Sequence, residues 1–248
     1  MDRQIIGKIK DIIRYPVKSF HGEKLLKSKV ESYGLYGDRS HVFIDETKTK
    51  KYLMATHFPE LLGYQAEFAG HEGYDEYPKV KITTPSGKVY LWDDGAFIKE
   101  IKKIAGEHIY PLRYSPKYVP QGAIEEEHIL IVTDSSLNKL ENMWGKHMNY
   151  LRFRPNFIIS MTEDIPFAED SWFGKRMVIG NVELELKRHC ERCMIINIDP
   201  NNLEKDYSLL KTVVRKRNNY FGVYATVIST GQISIGDTVY LDDKEEKN

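Results

Sequence analysis

Cysteine is nearly absent: this 248-residue chain has two, too few for the disulfide framework that holds small secreted domains together. Net charge is absent as well, with 36 Lys+Arg against 36 Asp+Glu and a formal charge of +0. That balance argues against a surface built for duplex nucleic acid or an anionic membrane, since both need a basic excess. Long apolar runs are missing. Stretches such as Ile129-Leu130-Ile131-Val132 and Phe157-Ile158-Ile159 fall far short of the ~18–20 residues a bilayer span requires. The opening Met1-Asp2-Arg3-Gln4-Ile5-Ile6-Gly7-Lys8 enters a charged, alternating pattern with no apolar signal core, so a cytoplasmic location is expected, with no membrane or nucleic-acid partner. Internal repeats, low-complexity segments and the strand-helix alternation of a doubly wound dinucleotide fold are also lacking.

What is present reads as mainly β (α+β): two β-barrel-like domains with a few peripheral helices. In the first half, strands are expected at Lys8 to Ile13, Asp38 to Asp45 and Val80 to Thr84, the last returning through Pro85-Ser86-Gly87 to Val89-Tyr90-Leu91 as a hairpin. A helix follows, capped by Asp93 or Asp94, apolar at Phe97, Ile98, Ile101, Ile104 and Ala105, and stopped by Gly106. Tyr110 to Gly122, with Pro111, Pro116 and Pro120, reads as a linker, which sets the expected domains at 1–115 and 116–243 with a charged tail at 244–248. The second half should contain a strand at Ile129 to Val132 and a helix with Leu137, Leu140, Met143 and Trp144 on its apolar face. Strands are then expected at Phe157 to Met161, Val182 to Leu186 and Met194 to Ile198, a helix at Tyr207 to Arg217, a strand at Val223 to Ile228 and a hairpin through Gly236-Asp237 to Leu241.

Three constellations could carry chemistry. Both cysteines fall in Cys190-Glu191-Arg192-Cys193. A structural zinc site would need more ligands than this pair, a thioredoxin-like couple would want a helix N-terminus, and two small buried hydrophobes would explain it without chemistry. Arg188, His189 and Arg192 surround the sulfurs with cationic groups, which favours a metal-thiolate or a persulfide. The second constellation is Thr133-Asp134-Ser135-Ser136, a strand-to-helix turn that is either a plain N-cap or a phosphate site at the positive end of a helix. The third is a set of dispersed cations in turn-like settings, Lys18, Arg39 and Arg154, suited to phosphate or heterocycle edges and equally to surface ion pairs.

Taken together, the ordered motifs resemble the MOSC family, the domain named after the molybdenum cofactor sulfurase C-terminus, preceded by its N-terminal β-barrel partner. The motifs are Tyr15-Pro16-Val17-Lys18-Ser19, Gly37-Asp38-Arg39, the Thr133 turn, Phe153-Arg154-Pro155-Asn156, Ala168-Glu169-Asp170-Ser171-Trp172, Arg192-Cys193 through Asp199-Pro200, and Gly236-Asp237-Thr238-Val239-Tyr240. The layout is similar to that of the amidoxime-reducing components and their bacterial relatives.

The resemblance implies a pterin-dithiolene molybdenum cofactor between the two domains, with Cys193 as metal ligand and catalytic residue and Cys190 as a neighbour only. It implies cofactor contacts from Lys18, Ser19, Arg39, Thr133, Asp134, Ser135, Ser136, Arg154, Asn156, Arg192 and Tyr224. The expected activity is an oxidoreductase acting on a small N-oxygenated substrate. With no fused ferredoxin-like domain in the sequence, it would draw electrons from a separate donor protein of flavin, iron-sulfur or haem type. The alternative is a sulfur carrier with a persulfide on Cys193, or a cofactor delivery protein.

Overall fold

Alternation is plainest in the strand Val182–Glu191, where Val182, Leu184 and Leu186 are buried while Glu183 and Glu185 between them stay partly exposed. A strand with one apolar and one polar face needs a core on one side only. The computed structural model describes residues 3–49 and 51–242, so the expected tail at 244–248 lies outside the described residues. In chain order the strands are β1 (Gln4–Arg14), β2 (Glu23–Leu25), β3 (Lys27–Glu31), β4 (Gly34–Leu35), β5 (His41–Asp45), β6 (Gln65–Ala69), β7 (Lys79–Thr83), β8 (Val89–Leu91), β9 (Ile109–Arg113), β10 (Ile129–Thr133), β11 (Phe157–Met161), β12 (Arg176–Ile179), β13 (Val182–Glu191), β14 (Tyr220–Ser229), β15 (Gly231–Ser234) and β16 (Thr238–Asp242). The helices are α1 (Gly95–Ala105), α2 (Gln121–Ile124), α3 (Asp134–Trp144) and α4 (Ser208–Arg217).

Seven strands form a closed barrel in the order β11-β10-β14-β13-β12-β16-β1, with a β1–β11 pairing that joins the two ends. Closure removes the exposed edges an open sheet would present. Ile9, Ile131, Phe157, Leu184, Leu186 and Val223 are among the buried residues of its core. The one parallel pairing in the barrel, β10 with β11, is bridged by α3, as a parallel pair requires a crossover. A second core gathers Phe20, Phe43, Leu61, Ile82, Phe97 and Ile101 between α1 and the β6-β7-β8 sheet.

Locally encoded elements stand where the sequence places them. Asp94 caps α1 by accepting the Ala96 amide at 2.8 Å, and Gly106 ends it at φ +111°. Gly145 ends α3 in the left-handed region, as a C-cap glycine does.

Elements defined by distant partners differ. The expected linker contains β9, which pairs with β5; Pro111 is tolerated because the sheet has two strands and both are edges. The expected strand Met194 to Ile198 is a short 3-10 helix over Met194–Asn197, a short apolar run being unable to declare its own period. The Gly236-Asp237 turn joins β15 and β16, but they pair with β3 and with β1 and β12 respectively, not with each other. The expected division near residue 115 parts the chain without parting the packing: β1, from the first segment, closes the barrel of the second, and β3 pairs with β15.

The closing strand leaves no room at Gly7. A Cβ there would lie 2.2 Å from the Ser160 carbonyl oxygen and 2.9 Å from Ile159 Cγ2. Gly7→Ala is expected to cost about 2–3 kcal/mol by overpacking, whereas Gly95→Ala, in open space at the start of α1, should be neutral or stabilising by up to about 1 kcal/mol. Urea denaturation of both variants checks this; equal midpoints would contradict the tight closure.

Candidate functional site

Where β1 ends, the chain turns past Tyr15 towards Lys18 and Ser19, and a fully buried carboxylate organises the turn. Asp38 accepts the Tyr15 amide at 2.7 Å and Asn156 Nδ2 at 3.1 Å, and pairs with Arg39 Nη1. Asn156 in turn accepts the Leu130 amide at 3.1 Å, which ties this corner to β10. Arg39 and Arg154 lie against the Tyr15 ring, their guanidinium carbons 4.7 and 4.2 Å from its centroid. Such contacts contribute about 0.5–2 kcal/mol when desolvated, and they hold two like charges close together. Burial is the main reason the Arg154 pKa is pulled down to about 10, with Arg39 adding to the shift and Tyr15 opposing it.

Ser19, Arg39 and Arg154 have φ of +72°, +49° and +55°. Side chains other than glycine adopt this left-handed region at a cost of roughly 1–3 kcal/mol each, and such strain concentrates at functional sites.

A cleft of ≈ 290 Å³ opens here between the barrel and the N-terminal segment. Of the sequence-predicted residues, Arg39, Arg154, Asn156, Arg192, Cys193 and Tyr224 line it, together with Cys190, Met54, Thr56, Phe153 and the acidic run Glu125, Glu126 and Glu127. Lys18 reaches it through Glu125, whose Oε1 is 3.1 Å from Nζ. Ser19 stands behind the wall, donating from Oγ to the Leu53 carbonyl at 2.9 Å and accepting the Ala55 amide at 3.0 Å, which pins the loop that carries Met54.

The two cysteines differ because β13 ends between them. Cys190, on the strand, is 2% exposed and packs with Leu130 and Tyr224. Arg192 Nη1 donates to its sulfur at 2.7 Å and Nη2 to the Phe153 carbonyl at 2.8 Å. Burial raises the Cys190 thiol pKa and the neighbouring Arg192 opposes that rise. Cys193 lies past the strand, at the start of the 3-10 helix, and is exposed to the cleft. Among the described residues no group of three or more His, Cys, Asp or Glu is placed to hold a metal ion, so the zinc reading of this pair has no ligand set here.

The cleft also carries unspent donors. Arg39 Nε, Arg154 Nη2 and Arg192 Nε are buried without a hydrogen-bond partner. Buried polar groups are seldom left so, and these three lie on the walls of one cleft.

Thr133, Asp134, Ser135 and Ser136 are not brought to the cleft. Thr133 caps α3, accepting the Ser136 amide at 3.2 Å, and the place where a phosphate was expected is filled by the Glu169 carboxylate, which takes Ser136 Oγ at 2.8 Å and Thr133 Oγ1 at 3.2 Å. Asp134 accepts the Met161 amide at 3.0 Å. The turn is thus an internal helix cap with its own resident carboxyl group. Sequence reasoning missed Glu125, and the only signal for it was three consecutive glutamates after Gly122.

Comparison with known families decides the classification. The MOSC domain matches residues 106–240, more than half the chain, and the MOSC N-terminal beta barrel domain matches residues 6–91. The chain belongs to the MOSC family.

Among curated MOSC-related proteins, the human mitochondrial amidoxime reducing component 2 is 32% identical over 125 residues, a match covering 45% of this chain and 36% of that protein. The Rattus norvegicus protein of the same name is 31% identical over 172 residues, covering 64% of this chain and 48% of that one. The molybdenum cofactor sulfurase of Drosophila ananassae is 33% identical over 125 residues, covering 48% and 16%. The matches therefore span between about a sixth and a half of these relatives' lengths. The solved structure of the YUAD protein from Bacillus subtilis aligns with a TM-score of 0.53 at 14% identity, over 98% of this chain and 99% of that one, and shows the shared fold. No helix among the described residues is long and apolar enough to cross a membrane.

Glu169 gives this region a pH signature. Burial raises its pKa above the ordinary 4.5, against the hydrogen bonds from Ser136 and Thr133. A carboxyl group whose folded pKa is raised binds its proton more tightly in the fold, so its contribution to stability falls as pH rises from the unfolded value through the folded one. The stability of wild type relative to Glu169→Gln is expected to decline as pH rises above 4.5 and then level off, as read from urea midpoints across pH. A difference that grows with pH would contradict the assignment.

Proposed function

We propose that this MOSC chain binds a molybdenum-pterin cofactor in the cleft and acts as an oxidoreductase on small N-oxygenated molecules, with Cys193 as the metal ligand. The observation that carries the reading is the coincidence of Cys193 with three buried, unpartnered guanidinium N–H groups on the walls of one cleft. Thiolate suits a soft or highly oxidised transition metal, and guanidinium groups suit the oxyanion and heterocycle edges of a pterin phosphate. The donor set present therefore fits the group. When bound, the cofactor would supply two-electron redox chemistry at the metal.

The chain's own residues have assignable parts. Arg39 and Arg154 hold and orient the polar portion, their positions fixed by Asp38 and Tyr15. Arg192 spans Cys190 and the Phe153 carbonyl, which fixes the backbone immediately before Cys193 and aims the ligand sulfur. Asn156 and Tyr224 complete the wall, and Lys18 adds a buried positive charge beneath it. The Thr133 turn does not enter this reading. Electrons would come from a separate donor protein, and the open side near Cys193 leaves the substrate a route in. Similarity to proteins named amidoxime reducing components supports the substrate class.

The exposure of Cys193 favours one further reading, in which its thiol carries a persulfide sulfur or the protein delivers the cofactor; similarity to a molybdenum cofactor sulfurase supports that reading.

The test is molybdenum and pterin content per chain after production in a cofactor-competent host. Changes in the outer shell of a metal site alone cost about 10–100-fold in affinity, so Cys193→Ala should lower molybdenum by at least about tenfold and abolish reduction of an N-hydroxylated amidine by an artificial donor. Cys190→Ala should keep most of the metal. Equal loss in both variants would overturn the single-ligand assignment, and wild-type protein free of metal and pterin but bearing a persulfide on Cys193 would establish the carrier reading.

A further inference from the structure

Three glutamates line the cleft in succession, but they do not point to the same partners. Glu126 and Glu127 are both paired with Arg188, at 3.0 and 3.4 Å. Glu125, the residue that ends α2, reaches Lys18 instead, with Oε1 3.1 Å from Nζ. The Lys18 side chain is 4% exposed and is also fixed by the Ala123 carbonyl at 2.8 Å, whereas the Glu125 side chain is 40% exposed. The cation is anchored and the anion lies on the open side.

Other groups share this space. Arg39 and Arg154 add positive charge to the field around Glu125, and Cys190, Arg192, Cys193 and Tyr224 face the same cleft. Desolvation by the cleft walls pushes the Glu125 carboxyl pKa up, but the attraction of Lys18, then of Arg39 and Arg154, outweighs it and holds the carboxylate below its ordinary range. A buried lysine is costly unless a counter-charge accompanies it. The cluster meets that requirement from within the chain, while its unpartnered guanidinium N–H groups show that one carboxylate does not satisfy it.

We propose that Glu125 is a resident counter-anion: its carboxylate holds the oxyanion position of the Lys18–Arg39–Arg154 cluster, and a phosphate-type oxyanion must displace it to bind there. This extends the cofactor reading of the cleft and rests on it for the identity of the natural ligand. It makes Glu125 an affinity-determining residue, since an incoming oxyanion must overcome a charge already in place.

The experiment titrates inorganic phosphate into purified full-length chain freed of bound ligand, by calorimetry and by the shift in thermal midpoint. Glu125→Gln, which keeps the shape and removes the charge, should bind phosphate at least tenfold more tightly than wild type. Glu126→Gln should match wild type, and adding Lys18→Met to Glu125→Gln should abolish the gain. Should Glu125→Gln not fold, Glu125→Asp keeps the question open to test, because a charge withdrawn by one methylene should give an intermediate gain. Equal phosphate affinity in wild type and Glu125 variants, or no binding by any of them, overturns the proposal. Molybdenum and pterin content of freshly isolated wild type separates the two readings. Cofactor found with no effect of Glu125 leaves the cofactor reading standing alone; tighter phosphate binding in a chain that never carries pterin leaves only the counter-anion.

Discussion

Asp38 is the constraint on which the site depends. Its carboxylate is wholly buried, and it accepts hydrogen bonds from the Tyr15 amide at the end of β1, from Asn156 beside β11 and from Arg39 in its own turn. A buried carboxylate would be untenable without such compensation, and removing it would leave Arg39 buried without its partner, a change that costs about 3–5 kcal/mol in comparable pairs. Because its partners come from three separated segments, the same interaction that stabilises the corner also places Arg39 and Arg154 on the Tyr15 ring. The closed barrel makes this possible by bringing the end of β1 beside β11.

The site is arranged as nested charge compensation. Asp38 balances Arg39, Glu125 balances Lys18, and Cys190 together with the Phe153 carbonyl receives Arg192. A chain with no net charge can in this way keep four cations on or directly beneath one small cleft. The three arginines are each held by partners that leave part of their donor capacity free, as the orphaned Nε and Nη2 atoms show, whereas Lys18 is fully engaged by Ala123, Ile124 and Glu125. Such an arrangement is suited to a polar anion in a low-dielectric setting, where a charge-assisted hydrogen bond is stronger than it is in water.

What could be read from the sequence was what neighbouring residues decide. The caps of α1, at Asp94 and Gly106, follow from backbone groups within one turn. Cys193 was set apart from Cys190 only by the family resemblance, and the burial of one and exposure of the other came from the structure. The Phe153-Arg154-Pro155-Asn156 segment was legible as a cation in a turn, and its left-handed φ is a local property. Long-range partnership was not legible. Nothing in Thr133-Asp134-Ser135-Ser136 shows that Glu169, more than thirty residues later, supplies the anion that the helix start attracts. Nor does Tyr110 to Arg113 show that β5 waits to pair with it, or Glu125 that it reaches Lys18 while its two neighbours pair with Arg188. Those outcomes are set by barrel closure and by which charges end up buried together.

The central claim is that one cleft unites a thiolate ligand at Cys193 with guanidinium groups for a polar cofactor. It is tested most directly by crystals of protein from a cofactor-competent host, measured on both sides of the molybdenum absorption edge. The account predicts an anomalous difference peak against Cys193 Sγ, inside the cleft lined by Arg39, Arg154 and Arg192. A molybdenum peak bound elsewhere, or against Cys190 alone, would contradict it.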